Sequence, residues 1–364
     1  MLFAEKLNRT QNLTWSYQPG LEVKVMGTTE EEYNYRNKSV YTFNLFDAEL
    51  DKFSFSIIGM DHVKIIQYIN LVVNRDYRVK SGKFGVHNIY IKNNWKQEFQ
   101  ICLGISCLDH SSMTEMVKFL FHIVQKVIQD LNVSVISGYY YVENRKVTLK
   151  DKEFHLFFGE EKLEECVEIK VGDRFTMPRK VWLSPYSFSR VNYQNSCLIY
   201  QKVWEVCRGL EAGNQYVLFG RDLYFPLKVL ESVGNADGFY GITHCPITYR
   251  DILADKDADY STRCKFVEKR EYAPYISRHL DSGAEGDKKF VFVLTASRNG
   301  LGSKMCQMLL DYRDRIKMII YIACSIPNVK KDLDLLVPNY QIKEINISNE
   351  FSHTAFNNNL VVLE

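Results

Sequence analysis

Hydrophobic positions are spaced in two different ways in the first half of the chain. Within residues 40–106, short runs rich in β-branched and aromatic residues alternate with polar turns, which is typical of strands: VYTFNL, KFSFSIIG, VHNIYIK and FQICLGIS. In residues 116–131, apolar side chains such as Val117, Leu120 and Val127 recur at helical spacing. These patterns predict an α+β unit made of several strands and one long helix.

The second half shows a different pattern. Its apolar runs are short and continuous, as in strands that are buried on both faces: YVLFG, KFVFVLT, KMIIYIA and NNLVVLE. Segments with helical character, such as 195–209 and SKMCQMLLDYRDR, lie between these runs. The alternation predicts a doubly wound α/β sheet, in which ligands bind at the carboxyl ends of the strands.

Length and composition are those of a globular protein. At about 100–200 residues per domain, the 364 residues predict two domains, which we divide into 1–185 and 186–364. Hydrophobic residues make up 46% and charged residues 25% of the chain. The net charge of +2 neither requires nor excludes a nucleic-acid partner.

Cysteine spacing and the N-terminal residues predict a cellular setting. None of the nine cysteines forms a C-x-x-C pair or has zinc-site spacing, so we expect no metal site and reduced thiols inside a cell. The N-terminus, MLFAEKLNRTQNLTW, lacks the apolar core of a secretory signal. No apolar run approaches the roughly 20 residues that span a bilayer. We therefore expect an intracellular protein of the cytoplasm or nucleus, not secreted and without a membrane partner.

The most informative feature is a series of motifs that occur in a fixed order. They are NYRNKSVYTF (34–43), SFSRVN (187–192), RNGLG (298–302), YIACSIPNVKKDLDLL (321–336) and EFSHTAFNNNLVVLE (350–364). In order and spacing, this series resembles the tRNA uracil-5-methyltransferase family across the length of the chain. The resemblance implies a Rossmann-like, seven-stranded class I methyltransferase domain preceded by an α+β RNA-recognition domain.

The family mechanism assigns roles to residues near the C-terminus. A cysteine thiolate adds to C6 of a flipped-out uracil, and C5 then attacks the methyl group of S-adenosylmethionine. A carboxylate base removes the C5 proton, and the cysteine leaves C6. The resemblance implies that Cys324 is the nucleophile and that His353 belongs to the family's histidine–threonine pair. Asn358 lies where the family has its glutamate base, and an amide cannot accept a proton at neutral pH.

The residues expected to bind the methyl donor match the family poorly. Gly220 keeps the first glycine of the donor loop, but Asp222 replaces the second. Arg190 replaces a glutamine, Ile242 replaces the acid that holds the ribose hydroxyls, and Thr295 replaces an aspartate.

Four residues are candidates for RNA contact in the family frame: Tyr35, Arg36, Lys38 and Arg298. From the residues alone, the first three could equally form a solvated turn, and Arg298 could be a structural ion-pair partner. We expect no separate N-terminal oligonucleotide-binding domain and no iron–sulfur cysteine cluster. Both features favour tRNA as the RNA partner.

Three hypotheses follow. In the first, the chain is an RNA-binding family member whose methyl transfer is impaired or lost, and it has no cofactor. In the second, it is an active S-adenosylmethionine-dependent tRNA uracil-5-methyltransferase with a diverged donor pocket. In the third, it is a protein-only scaffold without an RNA role. The space between Gly220, Ile242 and Thr295 separates the first two, because Asp222, Tyr224 or Phe225 filling it would favour the first.

Overall fold

The chain folds into two compact units in a computed structural model. The structure describes residues 3–26, 38–42, 59–107, 110–143, 152–172, 175–233, 236–282, 289–296, 299–349 and 357–364. One unit comprises residues 1–30, 167–181 and 188–364, and the other comprises 31–166 and 182–187. The division therefore differs from a single boundary at residue 185. The first 30 residues belong with the C-terminal unit, because a strand near the N-terminus pairs with its sheet.

The C-terminal unit is built on an eight-stranded sheet. The strand order is β11–β10–β9–β12–β13–β15–β14–β1. The strands are β1 (Val23–Val25), β9 (Asn214–Phe219), β10 (Ala236–Thr243), β11 (Cys264–Phe266), β12 (Phe290–Thr295), β13 (Ile316–Ala323), β14 (Ile342–Ser348) and β15 (Asn358–Leu363). Only β15 runs antiparallel to its two neighbours. The expected seven-stranded α/β sheet is confirmed, and β1 adds an eighth strand by pairing in parallel with β14.

Helices of this unit join the strands and cover the sheet. They are Phe3–Tyr17, Tyr193–Arg208, Tyr224–Leu230, Pro246–Leu253, Tyr272–Ser282, Ser303–Asp311 and Ile326–Leu336. The core includes alternate residues of β12 and β13, among them Phe292, Leu294 and Ile319, all fully buried. Helix 193–208 begins two residues before the predicted segment, because Asn192 caps it by accepting a hydrogen bond from the Asn195 amide.

The other unit is an α+β arrangement. Its five-stranded sheet has the order β2–β3–β4–β5–β6, in which only β4 and β5 are parallel. These strands are Lys38–Thr42, Phe84–Asn93, Glu98–Cys107, Ser134–Val142 and His155–Gly159, and the helices are Met60–Arg75, Tyr77–Lys80 and His110–Leu131. Ile66, Ile101 and Ile123 join two of the helices to the sheet in one buried core. The predicted long helix is confirmed, whereas the predicted strand at 52–59 lies almost entirely outside the described residues.

Two further strands, β7 (Leu163–Val171) and β8 (Phe175–Leu183), pair with each other. No helix within the described ranges is both long and apolar enough to cross a membrane.

Candidate functional site

Five of the residues singled out in the sequence lie along one edge of the eight-stranded sheet. Gly220 follows β9, Ile242 lies near the end of β10, and Thr295 ends β12. Cys324 follows β13, and Asn358 begins the antiparallel strand β15. Because the carboxyl ends of parallel strands meet at one edge, the candidate donor and nucleophile positions share the edge at which α/β proteins bind ligands.

The backbone at Gly220 is packed against the protein itself. Its φ is +155°, and an ideal Cβ built there would lie 2.8 Å from Thr295 Cβ and 3.0 Å from Asp222 Oδ1. Its amide donates a hydrogen bond to the Ile242 carbonyl oxygen at 3.2 Å. The space beside this glycine is therefore occupied by side chains of the chain, and a larger residue would not fit.

Asp222 is held in a buried ionic cluster. Its Oδ2 accepts hydrogen bonds from Arg190 Nη2 at 3.0 Å and from the Tyr200 hydroxyl at 2.8 Å. Arg190 Nε also donates to the Tyr200 hydroxyl oxygen at 3.2 Å. Burial, reinforced by the Asp222 charge, holds the pKa of Tyr200 well above its ordinary value, so the phenol remains a donor at neutral pH.

Two aromatic residues after Asp222 pack into the interior. Phe225 stacks on Tyr200 with ring centroids 5.5 Å apart, and the Tyr224 hydroxyl donates to Asp255 Oδ2 at 2.5 Å. Ile242 is fully buried. A hydrocarbon side chain therefore stands where the resemblance implies a carboxylate for the ribose hydroxyls.

The nucleophile position lies at a strand-to-helix connection. Cys324 follows β13 and is half-buried, and Ser325 is the N-cap of helix 326–336. The Cys324 carbonyl oxygen accepts a hydrogen bond from the Asn357 amide at 3.4 Å. The thiol is therefore on a rigid junction, held from one side by the residue that precedes β15.

Asp332 binds this junction to the RNGLG loop. Its carboxylate accepts hydrogen bonds from the Leu301 amide at 2.8 Å, the Gly302 amide at 3.2 Å and the Tyr321 hydroxyl at 2.5 Å. Gly300 has φ +78°, and an ideal Cβ there would lie only 2.5 Å from Asp332 Oδ2. This carboxylate accepts hydrogen bonds from two backbone amides of the loop and thus organises it.

The asparagines at the start of β15 form part of a buried polar network. Asn359 Nδ2 donates to the Ala323 carbonyl oxygen at 3.3 Å, and Asn357 Nδ2 donates to Asn359 Oδ1 at 2.9 Å. Asn358 pairs with Ser348 across the sheet and is 1% exposed. Its Nδ2 has no hydrogen-bond partner within the described residues.

The N-terminal helix 3–17 extends this network. Thr10 Oγ1 donates to Asn359 Oδ1 at 3.4 Å, and Lys6 Nζ donates to Asn349 Oδ1 at 3.0 Å. Burial lowers the pKa of the Lys6 amine to about 8. This contact was not predictable from the sequence, because a lysine in a polar helix is ordinarily solvated.

The structure describes few of the other candidate residues. Lys38 begins β2, with Nζ 5.7 Å from the centroid of the Tyr90 ring. Outside the described residues lie four more candidates: Tyr35, Arg36, Arg298 and His353. Within the described ranges, no group of three or more His, Cys, Asp or Glu side chains is placed to hold a metal ion.

Two functionally placed residues were not identified from the sequence. Tyr200 completes the Asp222 cluster. In the sequence, nothing distinguishes it from other aromatic residues in helical segments. Asp332 lies within a quoted motif, and only the fold brings its carboxylate to Leu301 and Gly302, about 30 residues away.

Solved structures resemble this fold. The Pyrococcus abyssi tRNA (uracil-54, C5)-methyltransferase in complex with S-adenosyl-L-homocysteine superposes with a TM-score of 0.68 at 16% identity, covering 100% of this chain and 84% of the other. This similarity places the chain among proteins with a class I methyltransferase fold.

Sequence relatives narrow the class. A 23S rRNA (uracil(747)-C(5))-methyltransferase of Shewanella pealeana is 23% identical over 238 residues, which are 63% of this chain and 57% of the relative. An uncharacterised RNA methyltransferase of Bacteroides thetaiotaomicron is 23% identical over 248 residues, 67% of this chain and 50% of the relative. No family model matches the chain. The matches span about half the length of these relatives, and they confirm the resemblance to the RNA uracil-C5 methyltransferase family.

Proposed function

We propose that this protein is an RNA-binding family member that has lost methyl transfer. The observation that carries the proposal is the buried cluster of Asp222 with Arg190 and Tyr200 on the donor loop. A glycine at this place would let the donor approach the backbone, whereas Asp222 fills the space beside Gly220. This cluster makes the loop part of the protein core.

The residues present do not fit S-adenosylmethionine. Ile242 is buried and cannot accept a hydrogen bond from ribose hydroxyls, and Thr295 packs against Gly220. At about 1 kcal/mol per hydrogen bond, three lost contacts weaken binding by roughly 100-fold, and lost charged contacts weaken it further. We therefore assign the protein no methyl donor.

The position of the general base supports the same proposal. Asn358 is a buried amide, and its neighbours Asn357 and Asn359 are amides as well. None of these side chains can accept the C5 proton at neutral pH. Even with Cys324 in place, an adduct on uracil would have no base at this position to complete the reaction.

We propose RNA as the partner and, among RNAs, tRNA before rRNA. The Shewanella relative is named for 23S rRNA, and the Pyrococcus structural neighbour is named for tRNA. Lys38 is a described candidate for phosphate contact, together with Tyr35, Arg36 and Arg298. We propose an intracellular location for this role, and we propose that RNA recognition falls mainly to the N-terminal α+β residues.

An active enzyme is the second candidate. Cys324 and its support by Asp332 and Tyr321 favour it, because a rigid strand-to-helix junction could still present a thiol to a base. A protein-only scaffold is the outcome if no RNA binds.

Two assays test the proposal. We expect a tRNA transcript to bind the full chain with a dissociation constant that rises with salt. Lys38→Gln should weaken this binding several-fold, whereas Lys317→Gln, at the start of β13, should not. We also expect 5-methyluridine in cellular RNA, measured by mass spectrometry, to be unchanged when the gene is deleted. Loss of the modified base would support the active enzyme, and absence of tRNA binding would support the scaffold.

A further inference from the structure

The charge at the ends of β9 and β10 is opposite to that of a site for a cationic methyl donor. Arg221 follows Gly220, and His244 follows β10. Ile242 occupies the position where the resemblance implies an acid. No carboxylate of the described residues pairs with Arg221, whose guanidinium lies 5.7 Å from the Phe188 ring centroid. The adjacent Asp222 is engaged by Arg190 and is turned into the core.

Tyr272 supplies a buried donor beside His244. Its ring packs edge-on against Phe219 with centroids 4.3 Å apart, and it lies 5.6 Å from the His244 ring. The residue is 6% exposed, yet its hydroxyl has no hydrogen-bond partner within the described part of the chain. A buried hydroxyl without a partner is unfavourable unless a ligand or water completes its bonding.

Electrostatics tie Tyr272 to Arg221. Burial raises the pKa of the Tyr272 phenol, and the positive charge of Arg221 opposes that rise. Tyr272 is also the first residue of helix 272–282, whose N-terminus favours a negative charge. The nearby acids Glu268 and Glu271 are exposed and form ion pairs with Arg270.

We propose that Arg221, His244 and Tyr272 form a binding site for a phosphate monoester at the former donor end of the sheet. The guanidinium would pair with phosphate oxygens, and the Tyr272 hydroxyl would donate a hydrogen bond to the same group. This inference rests on the proposed loss of donor binding. The phosphate can come from a free nucleotide or from an RNA terminus, and the chemistry at the three side chains is the same for both.

The test is calorimetric titration of the full chain at low ionic strength with AMP, adenosine, and an RNA trinucleotide with and without a 5′-phosphate. We expect AMP or the phosphorylated trinucleotide to bind at least about tenfold more tightly than its unphosphorylated counterpart, since hydrogen bonds to charged groups are the stronger ones. The tighter of the two phosphorylated probes identifies the source of the phosphate.

Arg221→Gln should weaken that binding by about tenfold or more, and Tyr272→Phe, which keeps the ring on Phe219, by about fivefold. Arg208→Gln is the matched control. Like Arg221, Arg208 lies over an aromatic ring, 4.7 Å from the Trp204 centroid. It lies at the other end of the strands, because it ends helix 193–208 next to Cys207, whose carbonyl oxygen accepts a hydrogen bond from Tyr216 near the start of β9. We expect no change in this control.

Absence of binding by both phosphorylated probes, or an equal loss in the Arg221 and Arg208 variants, would overturn the site. A parallel titration with S-adenosylmethionine separates the two claims. Micromolar binding of the donor contradicts the proposed function, whereas failure of the phosphate probes alone contradicts only this inference.

Discussion

The residues beside β13 and those beside β9 lie along the same edge of the sheet but differ in how they match the family pattern. Beside β13, the loop glycine Gly300, Asp332 and Tyr321 form a connected support around the Cys324 junction. Beside β9, Asp222 and Arg190 stand where the resemblance implies ligand-binding residues, and they pair with each other. The residues beside β13 hold one another and the loop backbone, whereas those beside β9 depart from the pattern that the resemblance implies.

Breaking the buried ion pair tests the donor side most strongly. Arg190→Met should lower the free energy of unfolding by about 3–5 kcal/mol, because it leaves the Asp222 carboxylate buried without its counter-ion. Urea denaturation measures this change. The double variant Arg190→Met/Asp222→Leu should recover more than half of the loss. A loss below about 1 kcal/mol in the single variant would mean that the pair is not part of the core.

Adding one methyl group to the RNGLG loop tests the packing beside the Cys324 junction. Gly300→Ala should cost about 2–4 kcal/mol, because the left-handed backbone is strained for alanine and the new Cβ would meet Asp332. Gly302→Ala is the control. Gly302 has a similar φ of +83°, but no other atom lies within 4 Å of its Cβ position, so we expect only the strain of about 1–2 kcal/mol. Equal losses would argue against close packing at Asp332.

Removing the Tyr321 hydroxyl tests how much its hydrogen bond to Asp332 stabilises the fold. Tyr321→Phe should lower stability by about 1.5–3 kcal/mol, because it removes a hydrogen bond to a buried carboxylate. Tyr340→Phe is the matched change, since that hydroxyl donates to the neutral Leu309 carbonyl oxygen at 2.6 Å. We expect a loss of about 1 kcal/mol there. A smaller effect at Tyr321 than at Tyr340 would contradict the importance of the Asp332 cluster.

The smallest effect is expected at the cysteine itself. Cys324→Ser should change the unfolding free energy by less than about 0.5 kcal/mol, because the side chain is half-buried and the change is nearly isosteric. Binding of tRNA, measured by fluorescence anisotropy, should stay within about twofold. A large loss of RNA affinity would show that the thiol still contacts the base.

The fold was more predictable from the sequence than the candidate site was. The doubly wound sheet was predictable, because the buried strands are continuous apolar runs such as the one in β12. The eighth strand was not, since Val23–Val25 is three residues long and finds its partner more than 300 residues away at Ile345. Short strands of this kind carry almost no local signal.

At the site, the sequence indicated which residues depart from the family but not what they do instead. Asp222 was expected to crowd a donor, and the structure adds that it binds Arg190, itself a replacement, and Tyr200. Such compensation is invisible in a linear sequence, because the three residues come from a loop, a connection and a helix. The same limit applies to Tyr272, whose hydroxyl is notable only because the folded chain leaves it buried.

We propose that the donor loop now belongs to the protein core, and calorimetric titration with S-adenosylmethionine is the sharpest test of this proposal. We expect no saturable heat up to about 1 mM donor, since the lost hydrogen bonds weaken binding by roughly 100-fold and the lost charged contacts weaken it further. The Shewanella relative serves as the positive control. A dissociation constant in the micromolar range for this chain would contradict the account.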